Sequence, residues 1–307
     1  MFLIVNIIAI PILIGIAYLF SMDKKAIDWR SVLTIVGLML VLAWFFNKFT
    51  IGQDIIKGAA SGFAWLIAVA NQGIAFALPD WLTANHGGPN FVTSALLPIL
   101  LVVPMFDILT YIGVLPWIIK WVGRGLSFIT RQPKFEAFFS FLSNSILGAG
   151  KLILIITATV IAFVGLAALI DQLLGLTGFH WLTLEKIIGV VMFPFAWLLG
   201  FNPADAFNLS QLMGLKLVTN EFVVMGQISK SIMAGTGLFH NPHAVAVTAV
   251  FLTSFANFGT LGMIIGAFKG LTGKKVNDLI SSQAGYLMLS GILVSLLAAA
   301  TAGIFVW

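Results

Sequence analysis

Six apolar runs, most of them about 20 residues long, constrain this chain more than any other feature. A helix needs about 20 apolar residues to cross the hydrocarbon core of a bilayer. The runs are Phe2–Phe20, Ser31–Phe46, Phe91–Trp117, Leu152–Leu174, Ala244–Phe268 and Tyr286–Val306. Lipid offers no water to an exposed backbone, so segments that span it must satisfy their own N–H and C=O groups as helices. Composition agrees: 60% of the residues are hydrophobic and 9% charged, with a mean hydropathy of +1.07, whereas a soluble domain carries about 25% charged residues. The expected fold class is an all-α polytopic membrane protein, with about six transmembrane helices plus an interfacial helix and a re-entrant hairpin with a partly unwound helix.

The interfacial helix is expected at Ile51–Ala77, where Asp54, Lys57, Asn71 and Gln72 interrupt the apolar residues. The first run lacks a basic leader and a small-residue cleavage site, and reads as a retained span. There is no cysteine, which excludes disulfides, thiolate catalysis and cysteine metal sites. His86, His180, His240 and His243 fall in expected loops. His240 and His243 are three apart but have no carboxylate beside them, so no metal site is expected. No nucleotide-binding glycine loop, nucleophile elbow or H-E-x-x-H occurs, and Ser140, Ser143 and Ser145 have no base nearby, so no catalytic residue and no enzyme activity is expected. The net charge of +5 needs no nucleic-acid partner, because the excess sits in loops.

Ten of the sixteen Lys and Arg lie in three clusters, at 24–30, 120–134 and 269–275. If all three face the cytoplasm, the first span begins outside, the last ends outside, and 187–228 leaves from and returns to the outer side. A pair of crossings or a re-entrant hairpin with its tip near Asn202-Pro203 would satisfy this, and the short first arm and the proline favour the hairpin. Single-cysteine variants Lys25→Cys, Arg124→Cys and Lys274→Cys are expected to resist an impermeant thiol reagent in intact cells. Labelling of any one from outside overturns the topology.

Polar residues inside this hydrocarbon-rich chain point to function. The stretch 214–222 holds Lys216, Asn220 and Glu221. On one continuous helix Lys216 and Asn220 share a face, and Glu221 lies about 140° around from Lys216, so Glu221 needs a partner from elsewhere: a bound solute, or the interface at a helix end. The stretch 255–262 is polar and glycine-rich in mid-span. It can unwind and offer Asn257 and Thr260 to a solute, while Gly262, Gly266 and Gly270 form a packing face. Asp107, just after Pro104, is open between a proton or ion site, a helix-kink partner and a lysine pair. Phe135–Leu147 reads as a short helix broken at Gly148-Ala149-Gly150-Lys151, with Lys151 at the cytoplasmic end of the next span. Three regions follow: 1–134, the N-terminal spans and interfacial helix; 135–174, a shortened hairpin remnant joined to a scaffold span; and 175–307, with the re-entrant hairpin and last two spans.

Gly214-Leu215-Lys216-x-x-x-Asn220-Glu221-Phe222-Val223, followed by Phe255-Ala256-Asn257-Phe258-x-x-Leu261-Gly262, resembles the concentrative nucleoside transporter family. The resemblance implies a Na+- or H+-coupled nucleoside symporter in the cell (cytoplasmic) membrane, working as a homotrimer with a nucleoside site in each protomer. No cofactor is implied beyond the coupling ion. Glu221 and Asn257 would bond the ribose hydroxyls, Phe255 would contact the nucleoside through its ring, and Thr260 and Asn220 would complete the site. Thr260 and Gly259 stand where the family has serines, so hydroxyl chemistry survives at one of the two positions. The family's Gly-Gln-[Ser/Thr]-Glu motif, which reads the base, is missing after Ile146-Leu147-Gly148. By comparison with the family, roughly a hundred residues are absent there. Asn144 resembles an ion ligand of that first hairpin. Alternatives to transport are a non-transporting relative that binds nucleoside weakly, and a solute or ion channel.

Overall fold

The computed structural model describes residues 2–78, 92–117, 138–179, 182–271 and 274–307, and those residues are almost entirely helical. The polar turn at 80–90, the basic cluster at 120–134, His86 and His180 lie outside the described residues. The chain divides into two compact units, Met1–Gly58 with Thr159–Trp307, and Ala59–Ala158.

In the first unit, α1 (Phe2–Leu19) and α2 (Trp29–Lys48) match the first two expected spans. Asp28 caps α2, accepting from Arg30 N at 3.0 Å and Ser31 Oγ at 2.7 Å. The Ser31 hydroxyl first, then the Arg30 amide, hold its carboxyl below the usual range. An extended residue, Phe49, separates α2 from α3 (Thr50–Ala77). This is the segment expected at the interface. It is 28 residues long and apolar enough to cross a bilayer, because Asp54 and Lys57 sit near its start and the remainder, Asn71 and Gln72 included, carries no charge. In the second unit, a π-turn at Val92–Leu96 leads into α4 (Ile99–Tyr111).

The helix expected to break at Gly148 does not break. α5 runs unbroken from Phe138 to Gly175, 38 residues, through the Gly-Ala-Gly-Lys stretch. Each glycine costs a helix only about 1 kcal/mol relative to alanine, which the long flanking runs of helix formers absorb. Lys151 therefore lies within a helix and is exposed.

Of the remaining helices among the described residues, only the last is of membrane-spanning length. α6 (Leu184–Leu198), α7 (Pro203–Val218) and α8 (Glu221–Ala234) have 15, 16 and 14 residues, about 21–24 Å each, less than the ~30 Å of a hydrocarbon core. A 3-10 turn at Gly237–His240 leads to α9 (Pro242–Leu252), then come α10 (Phe258–Leu271), α11 (Lys274–Ser282) and α12 (Ala284–Gly303). The apolar run 244–268 is thus two helices, with 253–257 unwound between them.

α6 and α7 pack antiparallel, and Gly214 and Gly189 let them approach. Their turn, Leu199–Asn202, lies beside the start of α1 and the end of the chain: a Cβ on Gly200 would meet Phe2 O and the Trp307 ring, each at 2.9 Å. α8 returns to this same end, because His243, just after it, stacks on Trp307 at 4.0 Å and meets Leu199 O at 3.0 Å and Gly303 O at 3.1 Å. His243 is accordingly a buried helical residue, not a loop residue as expected. So α7 and α8 form a hairpin that opens at the end holding Phe2 and Trp307. Its tip is Thr219-Asn220. The expected tip, Asn202-Pro203, is at the mouth. Pro203 starts a helix, with its missing N–H at a position that has no partner anyway and Asn202 capping Asp205 N at 3.0 Å. The core gathers where α9 packs on this hairpin, α12 on α9 and α1 on α12, around Leu209, Met213, Val224, Phe251, Leu296 and Ala299.

Candidate functional site

The tip of the hairpin meets the unwound segment. At Thr219-Asn220 the backbone leaves the helical region, with φ,ψ of −98°, −104° and −166°, 172°. The Asn220 side chain accepts from Val223 N at 2.9 Å and caps α8, its short amide doing what asparagine does best at a helix start. Lys216 and Asn220 therefore do not share a helical face as the sequence suggested, because the helix ends between them.

Glu221 is the first residue of α8, where the amino-terminal end of the helix dipole favours a carboxylate. Its Oε2 accepts from Asn257 Nδ2 at 3.0 Å. Asn257 Oδ1 in turn accepts from Thr260 N at 2.7 Å and so caps α10. The two polar motifs, 36 residues apart in the chain, are joined by one hydrogen bond, and two helix amino termini converge on it.

Lys216 is fully buried. Its ammonium donates to Ser254 Oγ at 2.9 Å and Ala256 O at 2.7 Å, and lies 5.1 Å from the centre of the Phe251 ring. The hydroxyls of Ser254 and Ser295 are 2.7 Å apart, which ties the same segment to α12. Sequence reasoning singled out Lys216 but missed its partners; a lysine buried in an apolar chain is itself the signal that carbonyls or hydroxyls must surround it.

Beside the pair lies a cavity of about 380 Å³, within the range of small-molecule sites. Phe255, Asn257 and Thr260 line one side and Leu287, Gly291 and Ser295 of α12 the other; the walls are largely apolar. Phe255 is 71% exposed, so its ring is available to a ligand. Of the residues expected at the site, Phe255, Asn257 and Thr260 are on the cavity wall, Glu221 is bonded to Asn257, and Asn220 supports Glu221 from the preceding position. The amide nitrogen of Asn220 is buried with no hydrogen-bond partner among the described residues. The side chain of Asn144 lies outside the described ones. Asp107, in the other unit, accepts from Ser145 Oγ, a partner that none of its expected roles supplied. Among the described residues no group of three His, Asp or Glu could hold a metal ion.

A hairpin tip set against a broken helix, with a carboxylate and an amide joined where they meet, fits the way secondary transporters build a solute site from discontinuous helices. Comparison with known proteins identifies which transporters. The sequence pattern described as the Na+ dependent nucleoside transporter C-terminus matches residues 126–303, and that of the N-terminus residues 8–81. The purine nucleoside transport protein NupG of Bacillus subtilis is 31% identical, in an alignment covering 100% of both chains. The nucleoside permease NupC of Helicobacter pylori is 23% identical over 98% of this chain and 97% of its own. The inward-facing, substrate-bound structure of CNTnw superposes with a TM-score of 0.83 at 20% identity, over 99% of this chain and 98% of that one. This chain belongs to the concentrative, Na+ dependent nucleoside transporter family. It is a multi-pass protein of the cell membrane and not an enzyme. The alignment with NupG runs over 405 residues against 307 in this chain, so close to a hundred of its positions have no counterpart here.

Proposed function

We propose that this protein carries nucleosides across the cell membrane in symport with Na+ or H+, as one subunit of a homotrimer in which each subunit has its own site. The observation that carries the proposal is the Glu221–Asn257 pair at the meeting of hairpin tip and broken helix, beside the cavity. A carboxylate accepts from vicinal hydroxyls and an amide both donates and accepts, which suits a ribose, and the exposed Phe255 offers a ring face to the base. NupG is named for purine nucleoside transport, which supports the same class of solute. Asn144 is the proposed ion ligand, on the resemblance of its surroundings to the family's first hairpin. The topology in which α7 and α8 dip into the bilayer from outside is part of the proposal.

Uptake of radiolabelled uridine into proteoliposomes tests this reading. Accumulation driven by an inward Na+ or H+ gradient is expected. Equilibration without accumulation would instead identify a channel, and no flux a non-transporting relative. Because the base-reading Gly-Gln-[Ser/Thr]-Glu motif is missing, binding should rest on the sugar. Uridine, cytidine and adenosine are expected to bind within about tenfold of one another, 1.4 kcal/mol, since a site rejects wrong ligands chiefly by leaving its own polar groups unpaired. A wider spread by calorimetry contradicts this.

A further inference from the structure

The unwound segment between α9 and α10 ends one helix and starts another, and the two ends need opposite charges. The start of α10 is served by the Asn257 cap and, through it, by Glu221. The end of α9 is served by Lys216. In broken transporter helices, unwound carbonyls and half-helix carboxyl ends commonly coordinate an exchangeable cation. Here the corresponding ligands are the Ala256 carbonyl, the Ser254 hydroxyl and the face of Phe251, and the group among them is the Lys216 ammonium. Ser254 Oγ donates its own hydrogen to Phe251 O at 2.7 Å, so a lone pair faces Lys216 as it would face a metal ion. A carbonyl, a hydroxyl and an aromatic face are the ligands of a monovalent cation.

We infer that Lys216 is a tethered cation occupying a built-in monovalent-cation site between the hairpin tip and the broken helix. A free ion there would make the position of Asn257 and Phe255 depend on ion concentration. The lysine makes it permanent. The Glu221–Asn257 half of the site is therefore assembled without the coupling ion, which must act elsewhere in the chain. The inference concerns how the proposed nucleoside site is built and rests on that reading for its binding arm alone.

The test removes the tether and offers a free cation. Lys216→Gly and Lys216→Met are purified alongside the unaltered protein, and thermal stability is measured in choline, sodium and methylammonium chlorides. Lys216→Gly is expected to melt lower in choline and to recover in sodium or methylammonium. Lys216→Met, whose side chain fills the space without charge, should melt lower in all three, and the unaltered protein should respond to none. Uridine affinity should follow the same pattern, falling about tenfold for Lys216→Gly in choline and recovering with the small cations. A Lys216→Gly protein whose melting is the same in the three salts overturns the inference, as does a Lys216→Met protein indistinguishable from the unaltered one. If the glycine variant does not fold, Ser254→Ala decides, because it keeps Lys216 and removes one acceptor. Severalfold weaker uridine binding in every salt is expected, and unchanged affinity counts against the site. If the unaltered protein binds no uridine, the transport reading fails while the melting comparison still stands.

Discussion

Replacing Glu221 by glutamine is expected to weaken ribonucleoside binding by about tenfold or more and to leave a 2′,3′-dideoxynucleoside almost unaffected. The carboxylate lies at the start of α8 and is held by Asn257 at 3.0 Å. Glutamine can still accept from Asn257, so the contact between hairpin tip and broken helix persists. What is lost is the charge. Hydrogen bonds to a charged group are worth about 1.5–3 kcal/mol each, roughly twice a neutral one, and two ribose hydroxyls can use them. A dideoxynucleoside never makes those bonds, so its weaker binding reports only the integrity of the site. Calorimetry with both ligands separates the roles. Equal weakening of both, with lower expression, would make Glu221 a structural residue. No change in either would mean that the carboxylate does not touch the sugar.

The largest effect on folding is expected at Gly214, which packs against the backbone of α6 and does not line the cavity. A Cβ there would run into the Glu185 carbonyl and sit 2.7 Å from Gly189 N, backbone atoms that cannot rotate away. Gly214→Val forces α6 and α7 apart along the contact that fixes both the mouth and the tip of the hairpin. A loss of about 3 kcal/mol or more is expected, at the upper end of overpacking penalties, seen as a lower melting temperature and a loss of monodisperse protein. Gly165→Ala on α5 is the control. Nothing lies within 4 Å of its added Cβ, and alanine favours a helix by up to about 1 kcal/mol, so stability should hold or rise. Equal melting temperatures for the two variants would show that the close approach of α6 and α7 is not needed.

Much of the site was legible because lipid penalises polar groups wherever they occur. Lys216, Glu221 and Asn257 stand out in a chain with 9% charged residues, and their motifs carry the family resemblance. The misplaced hairpin tip shows where that reasoning stopped. Proline was taken as the mark of the hairpin's tip, yet Pro203 opens a helix, and the turn that meets the broken helix is made at Asn220, whose cap on α8 looks in sequence like an ordinary polar residue. The break expected at Gly148 failed for the related reason that glycine only weakens a helix.

By itself the sequence determined the class, five of the long apolar helices and the identity of the residues that had to find partners, because each follows from local hydropathy and composition. Only the tertiary structure decided which partners they found. Glu221 with Asn257, Lys216 with Ser254 and Ala256, and His243 with Leu199 and Gly303 are contacts between residues 36 to 60 positions apart. Such pairings depend on how short helices stack and where each one ends. Those ends are set by the caps and close glycine contacts of the folded chain, and the pattern of apolar residues carries no record of them.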